Sequence, residues 1–198
     1  MQTEYEATFV NINKDEVREK LKQVGAVLVK PEVVMKRCVF HLPEGYDRPG
    51  AFARVRDEGD KITMSFKIVG RGGAIKIDEQ KEICLKIDSL ENGVEFLKEL
   101  GCKEKARQES KREVWQMAET EICIDEWPFL EPFVEVEGPS EQETKEVSEK
   151  LGFDYSQALF CAVSLIYTKK YGEYGIDEAK INNQTPLIIF DMENPFVK

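Results

Sequence analysis

The sequence predicts an α+β fold built on an antiparallel sheet, and three observations lead there. Short stretches in which charged and apolar residues alternate recur along the chain, about eight of them. Four longer stretches carry apolar residues at helical spacing, each with a capping residue in front. A composition of 41% hydrophobic and 33% charged residues over 198 positions is that of a globular chain with a substantial core.

The elements follow in order. Thr3–Phe9 sets Glu4, Glu6 and Thr8 against Tyr5, Ala7 and Phe9. Asn13 caps a helix over Lys14–Val24, with Val17, Leu21 and Val24 on one face and Gly25 past its end. Val33–Phe40 is a strand, and His41–Gly50 a hairpin loop. In Ala51–Arg56, Phe52, Arg54 and Arg56 oppose Ala51, Ala53 and Val55; in Ile62–Ile68, Thr63, Ser65 and Lys67 oppose Ile62, Met64, Phe66 and Ile68. After a second loop, Val69–Ile77, the residues Gln80, Glu82, Cys84 and Lys86 oppose Ile83, Leu85 and Ile87. Ser89 caps a second helix whose Leu90, Val94, Leu97 and Leu100 face one way before Gly101. Ser110–Gln116 is a strand; Glu121, Cys123 and Asp125 then oppose Ile122 and Ile124, and Glu135 and Glu137 oppose Val134 and Val136. Ser140-Glu-Gln-Glu143 is a capping box for a third helix, ending at Leu151–Gly152. Asp154 opens a fourth, with Leu159, Val163 and Ile166 as its apolar stripe. Residues 171–198 are weakly periodic, apart from the apolar run Leu187–Phe190.

This pattern fits two architectures. One is an open sheet with its charged face in water and helices on the apolar face. The other is a barrel, apolar outside under the helices, whose charged faces line a lumen wide enough for one small ligand.

Charge and composition remove several classes of function. With 28 Lys and Arg against 38 Asp and Glu, the net charge is −10, which disfavours a long nucleic acid on the surface. The longest apolar run, Ala158–Val163, is too short to span a bilayer. The first residues lack the pattern of a signal peptide, so a cytoplasmic location is expected. Five scattered cysteines form no C-x-x-C pair and read as reduced thiols.

The charged faces collect acids (Glu4, Glu6, Glu82, Asp125, Glu135, Glu137) and bases (Arg54, Arg56, Lys67, Lys86, Arg112). Carboxylates at i, i+2 on one strand lie about 6–7 Å apart and repel unless a cation intervenes; hard ions such as Mg²⁺ or Mn²⁺ suit them. Arg54-Val-Arg56 offers two guanidinium groups for phosphate oxygens. For any one of these pairs a solvated or mutually paired charged face is the favoured reading, since exposed charged strand faces are common. It explains the whole set less well, because a closed lumen makes unpaired charge costly. Gly70-Arg-Gly-Gly73 lacks the lysine and helix of a phosphate loop and reads as a hairpin tip. His41 reads as a turn residue, Trp127 as packing, Trp115 as packing or a base-stacking surface, and Cys84 and Cys123 as small lumen residues.

Glu4-x-Glu6, Arg54-Val-Arg56, Thr63-Met-Ser-Phe-Lys67, Glu82, Arg112-Glu-Val-Trp115, Asp125 and Glu135-Val-Glu137, in that order, resemble the motifs of CYTH proteins, the triphosphate tunnel metalloenzymes. The resemblance implies an eight-stranded antiparallel β-barrel (the triphosphate tunnel) with helices outside, over residues 1–171, and a C-terminal tail or lid over 172–198. It also implies Glu4, Glu6, Asp125, Glu135 and Glu137 as acids for Mg²⁺ or Mn²⁺. Arg54, Arg56, Lys67 and Arg112 become phosphate ligands, with Glu82 and Lys86 elsewhere in the lumen. The activity so implied is metal-dependent hydrolysis of an organic or inorganic triphosphate such as tripolyphosphate, thiamine triphosphate or ATP. Cyclisation of ATP to cyclic AMP, or binding without catalysis, are the alternatives, and a homodimer is compatible with all three. Two family lysines are replaced, by Thr8 and Ser110; Lys36, Lys86 and Lys111 are nearby cations, though Lys111 falls on the face opposite Arg112.

Overall fold

The computed structural model of the chain describes residues 1–46, 48–69, 76–177, 181 and 187–197. Gly70-Arg-Gly-Gly73 lies outside them. The strands are β1 (Gln2–Thr3), β2 (Tyr5–Phe9), β3 (Val27–His41), β4 (Ala51–Asp57), β5 (Ile62–Ile68), β6 (Lys81–Ile87), β7 (Lys103–Met117), β8 (Thr120–Glu126), β9 (Phe133–Gly138) and β10 (Leu187–Ile188). The helices are α1 (Lys14–Gln23), α2 (Leu90–Glu99), α3 (Glu141–Lys150) and α4 (Val163–Tyr171).

The sheet closes on itself. Its order is β1-β6-β5-β4-β3-β7-β8-β9-β2, and β1 and β2 are two halves of one N-terminal run. Counted as one strand, that run and β3 to β9 form an antiparallel ring of eight, with β10 added in parallel on β7. The run breaks at Glu4, where β1 bonds to β6 and β2 to β9. Gln80 holds the join: its carbonyl accepts from the Glu4 amide at 3.0 Å, and its side-chain amide donates to the Glu6 carbonyl at 3.1 Å. Gln80 is fully buried.

Three apolar clusters pack against the ring, the third reaching the cavity through Trp127, Cys161, Tyr167 and Ile181. The first sets Val17 and Leu21 of α1 and Val147 and Leu151 of α3 on Ala7, Phe9, Ile122, Val134 and Val136. The second sets Leu97 of α2 on Phe40, Ala53 and Val55. The third joins Tyr167 and Tyr171 of α4 to Trp127, Phe133 and the tail residues Ile181, Ile188 and Phe196. Tyr167 and Tyr171 donate to the Pro128 and Phe129 carbonyls at 2.7 and 2.6 Å, fixing α4 across that end. No described helix is long and apolar enough to cross a membrane.

The caps expected at Asn13, Ser89 and Ser140 are present. Four details differ from the sequence expectation. Asp154 caps only a 3-10 turn, Tyr155–Gln157, and α4 starts at Val163. The intervening chain is extended because Leu159 exchanges both backbone hydrogen bonds with Thr8, at 2.9 Å each, covering the open edge of β2. Leu100 ends α2 and is exposed rather than on its packed face. β3 and β7 run 15 residues each, beyond the expected spans, because each pairs with the other almost end to end.

Replacing Gln80 with leucine leaves the buried Glu6 carbonyl without its side-chain donor. Urea denaturation of Gln80→Leu is expected to show a loss of about 1–3 kcal/mol, the usual cost of an orphaned buried group.

Candidate functional site

The charged strand faces converge inside the ring, around a cavity of about 890 Å³. Glu4, Glu6, Arg54, Arg56, Lys67, Glu82, Arg112, Glu135 and Glu137 all line it. The barrel register brings together residues far apart in sequence: Glu6 lies opposite Glu137, Lys67 opposite Glu82, and Arg112 opposite Asp125.

Every buried charge described here has company, as burial demands. Lys67 Nζ is 2.9 Å from Glu4 Oε2 and 3.8 Å from Glu6 Oε2. Arg54 donates to Glu82 at 3.0 Å. Arg56 donates to Glu58 at 2.8 and 3.0 Å, and the Thr63 hydroxyl reaches the same oxygen at 3.0 Å. Arg112 forms a two-pronged pair with Asp125, at 2.8 and 2.7 Å, and also bonds to Glu135. Asp125 is fully buried under that pair and, unlike Glu4, Glu6, Glu135 and Glu137, does not line the cavity.

Acids and bases are interleaved, and burial shifts both. Burial raises the Glu6 carboxyl well above its usual range, and Glu135, Glu137 and Glu4 raise it further against the pull of Lys67. Burial takes Glu4 to about 7, with Lys67 opposing and Glu82 assisting, and Asp125 to about 6 despite Arg112. Glu82 goes the other way, to about 2: burial is outweighed by a hydrogen bond from Glu4 and by Arg54 and Lys67. Among the bases, burial and then Arg54, Arg56 and Arg112 depress Arg37. Arg54 falls to about 10, through burial and its neighbour Arg56. Carboxylates that hold protons too tightly seek a cation, and crowded guanidinium groups seek an anion.

Arg37 was not picked out from the sequence, because Met35 and Val39 flank it on its own strand face and hide the alternation. Its guanidinium lies 3.9 Å from the centre of the Trp127 ring and bonds to the Ser110 hydroxyl at 3.4 Å. Its Nε is buried without a hydrogen-bond partner. It therefore places a cation beside the serine that stands where the family has lysine. Lys36 and Lys86 are exposed and do not line the cavity. Lys111 faces outward, as alternation requires, paired with Glu126 at 2.8 Å. Trp127 packs, as expected, and also positions Arg37. Trp115 is buried outside the ring and donates to Glu113 at 2.7 Å, which removes the base-stacking reading. Cys84 is exposed, while Cys123 is buried beside Glu121. His41 lines one mouth of the cavity. Glu121 also lines the cavity; it and Gln80 stood in the alternating pattern, whereas Glu58, the partner of Arg56, did not.

The oxygen donors of Glu4, Glu6, Glu135 and Glu137 suit a hard divalent ion. As they stand, Lys67 and Arg112 sit between them. Among the described residues no three acidic, His or Cys side chains converge closely enough to hold an ion unaided.

With this geometry in view, comparison with known proteins is decisive. The CYTH domain model matches residues 46–166. The chain belongs to the CYTH family. Solved structures share the fold. A conserved hypothetical protein from Pyrococcus furiosus is 21% identical (TM-score 0.63), over 78% of this chain and 94% of that one. A candidate adenylate cyclase from Vibrio parahaemolyticus is 12% identical (TM-score 0.71), over 83% and 97%. A candidate adenylyl cyclase from Hippeastrum, described as having a dominant triphosphatase activity, is 13% identical (TM-score 0.50), over 84% and 95%. No curated protein matches significantly.

The raised carboxyls have a consequence for stability. The folded protein binds more protons than the unfolded chain between the ordinary glutamate value of 4.5 and about 7 for Glu4. Stability therefore falls as pH rises through that window. The depressed Glu82 acts oppositely, and its contribution is lost as pH falls toward about 2. Melting temperature of the metal-free protein is expected to peak near pH 5 and decline toward pH 7. Glu6→Gln, which removes one repelling charge, is expected to flatten the decline in a thermal-melt series.

Proposed function

We propose that this CYTH protein binds a triphosphate together with Mg²⁺ or Mn²⁺ inside its barrel and hydrolyses it. The observation that carries this reading is the convergence of Glu4, Glu6, Glu135 and Glu137 with Arg37, Arg54, Arg56, Lys67 and Arg112 on the wall of one cavity. Arg37, Arg54, Arg56 and Arg112 bind phosphate oxygens and offset the charge that develops on them as the terminal phosphoryl group transfers. Lys67 exchanges its carboxylate partners for phosphate. Glu4, Glu6, Glu135 and Glu137 are the donors for the divalent ion, with Asp125 holding Arg112 in place. When bound, the ion supplies charge neutralisation and Lewis-acid polarisation at the phosphate oxygens. Water adds to the terminal phosphorus, the anhydride P–O bond breaks, and phosphate leaves from a diphosphate product. The fixed positions of the arginines on paired strands supply orientation, a large part of catalysis where little covalent chemistry falls to the protein.

The name given to the Vibrio neighbour supports a second reading, adenylate cyclisation, in which a ribose hydroxyl replaces water as nucleophile. The description of the Hippeastrum protein supports hydrolysis. Arg37 beside Ser110 weakens the case for a purely non-catalytic binder, since a cation is present near the missing lysine. A cytoplasmic location fits five free cysteines, four of them buried.

A panel of tripolyphosphate, thiamine triphosphate and ATP with Mg²⁺ or Mn²⁺, followed for phosphate, pyrophosphate and cyclic nucleotide, decides among these. Phosphate release is expected, with Glu6→Gln lowering kcat about 100-fold or more. Arg37→Ala is expected to lower kcat/KM about 10–100-fold. Cyclic AMP with pyrophosphate would instead establish the cyclase, and tight binding without turnover the binder.

A further inference from the structure

The two ends of the cavity differ in sign. Among the described residues, three ionisable side chains both line the cavity and are exposed: His41, Arg48 and Glu121. His41 and Arg48 stand at the β3–β4 hairpin, and Glu121 at the start of β8. His41 pairs with Lys103 and Glu121 with Gln116, near opposite ends of β7. About 40 Å of strand therefore separates the two mouths.

The hairpin mouth is cationic. Half-buried Lys105 lines the cavity there, and Lys103 lies opposite His41 across the β3–β7 ladder. Burial, and then Lys105 and Lys103, hold the His41 imidazole below its ordinary range, so it is neutral at pH 7 and reports the positive field around it. The acids of this region do not cancel that field within the opening. Glu104 is engaged by Lys98 and Arg107, and Glu44, on the same hairpin loop, does not line the cavity. The bases continue inward with falling exposure, through half-buried Lys67 and Arg37 to buried Arg54.

A chain of net charge −10 repels a polyanion at long range. Capture must then be local, and cations at the rim of a low-dielectric opening focus the field where they stand. Resting on the triphosphate reading above, we infer that the β3–β4 hairpin mouth is the port through which the anionic substrate enters, steered by Arg48 with Lys103 and Lys105. Arg48 acts on the encounter and not on the reacting atoms. Glu121 repels the same anion at the far mouth, so the approach is one-sided. A rim charge of this kind sets the association rate and its salt dependence, and leaves dissociation nearly unchanged.

The test is stopped-flow binding of Mg²⁺-tripolyphosphate and of a Mg²⁺-bound non-hydrolysable ATP analogue to the full chain. Fluorescence of Trp127, which lies against Arg37 on the cavity wall, gives the rates, and calorimetry gives Kd. Arg48→Glu is expected to lower the association rate about 10-fold at about 20 mM salt and about twofold or less at about 500 mM, with the dissociation rate unchanged. Arg48→Gln is expected to fall between Arg48→Glu and the wild type. Glu119→Lys, an equally large charge change in the exposed β7–β8 turn at the far mouth, is expected to alter association less than about twofold. An association rate and Kd unmoved by Arg48→Glu, an effect confined to dissociation or insensitive to salt, or an equal response to Glu119→Lys overturns the inference but leaves the triphosphate reading standing. Failure of the wild-type chain to bind either ligand overturns both.

Discussion

Closure of the sheet through its N-terminal run is the constraint on which the rest of this structure depends. One short segment, residues 2–9, bonds to β6 with its first part and to β9 with its second. Gln80 fastens the change of partner at Glu4. The same closure that completes the backbone ladder takes a set of ionised side chains out of water. A charged strand face that would be unremarkable on an open sheet becomes, inside a ring, a set of groups that must be paired.

The pairing explains much of the site. Lys67 between Glu4 and Glu6, Arg54 on Glu82, Arg56 on Glu58 and Arg112 on Asp125 and Glu135 are mutual neutralisations in the absence of ligand. They are incomplete on both sides. Glu6 stays crowded by other carboxylates, and Arg37 keeps a buried nitrogen without a partner. A ligand carrying both signs, an anion with its counter-cation, relieves both at once. Enclosure makes that relief worth more than it is at a surface, because little solvent screens it.

Helices and tail do a different job. Because the apolar side of every strand faces out, the hydrophobic core is a shell rather than a centre, in three patches under α1 with α3, under α2, and under α4 with the tail. Packing under α1, α2 and α3 is thereby separated from the lumen, while the cluster under α4 meets it at Trp127 and Tyr167.

The alternation of Glu4, Glu6, Arg54, Arg56, Lys67, Glu135 and Glu137 with apolar neighbours is a local property. It was legible because a strand's two faces are written two residues apart. The caps at Asn13, Ser89 and Ser140 were legible for the same reason. Arg37 was not, since its strand mixes both kinds of residue on one face and only its neighbours across the barrel give it meaning. Asp154 misled because its capping is real but reaches only one turn; the pairing of Leu159 with Thr8 is a long-range event. Lys86 has the correct alternation and still lies outside the cavity, at the exposed end of β6. What the sequence determined by itself was the division of each strand into a charged and an apolar face, and the family to which those motifs point. Only the tertiary structure decided that the charged faces meet in a closed lumen. The choice between open sheet and barrel rests on hydrogen bonds between residues about 80 to 130 apart in the chain, which no local spacing encodes.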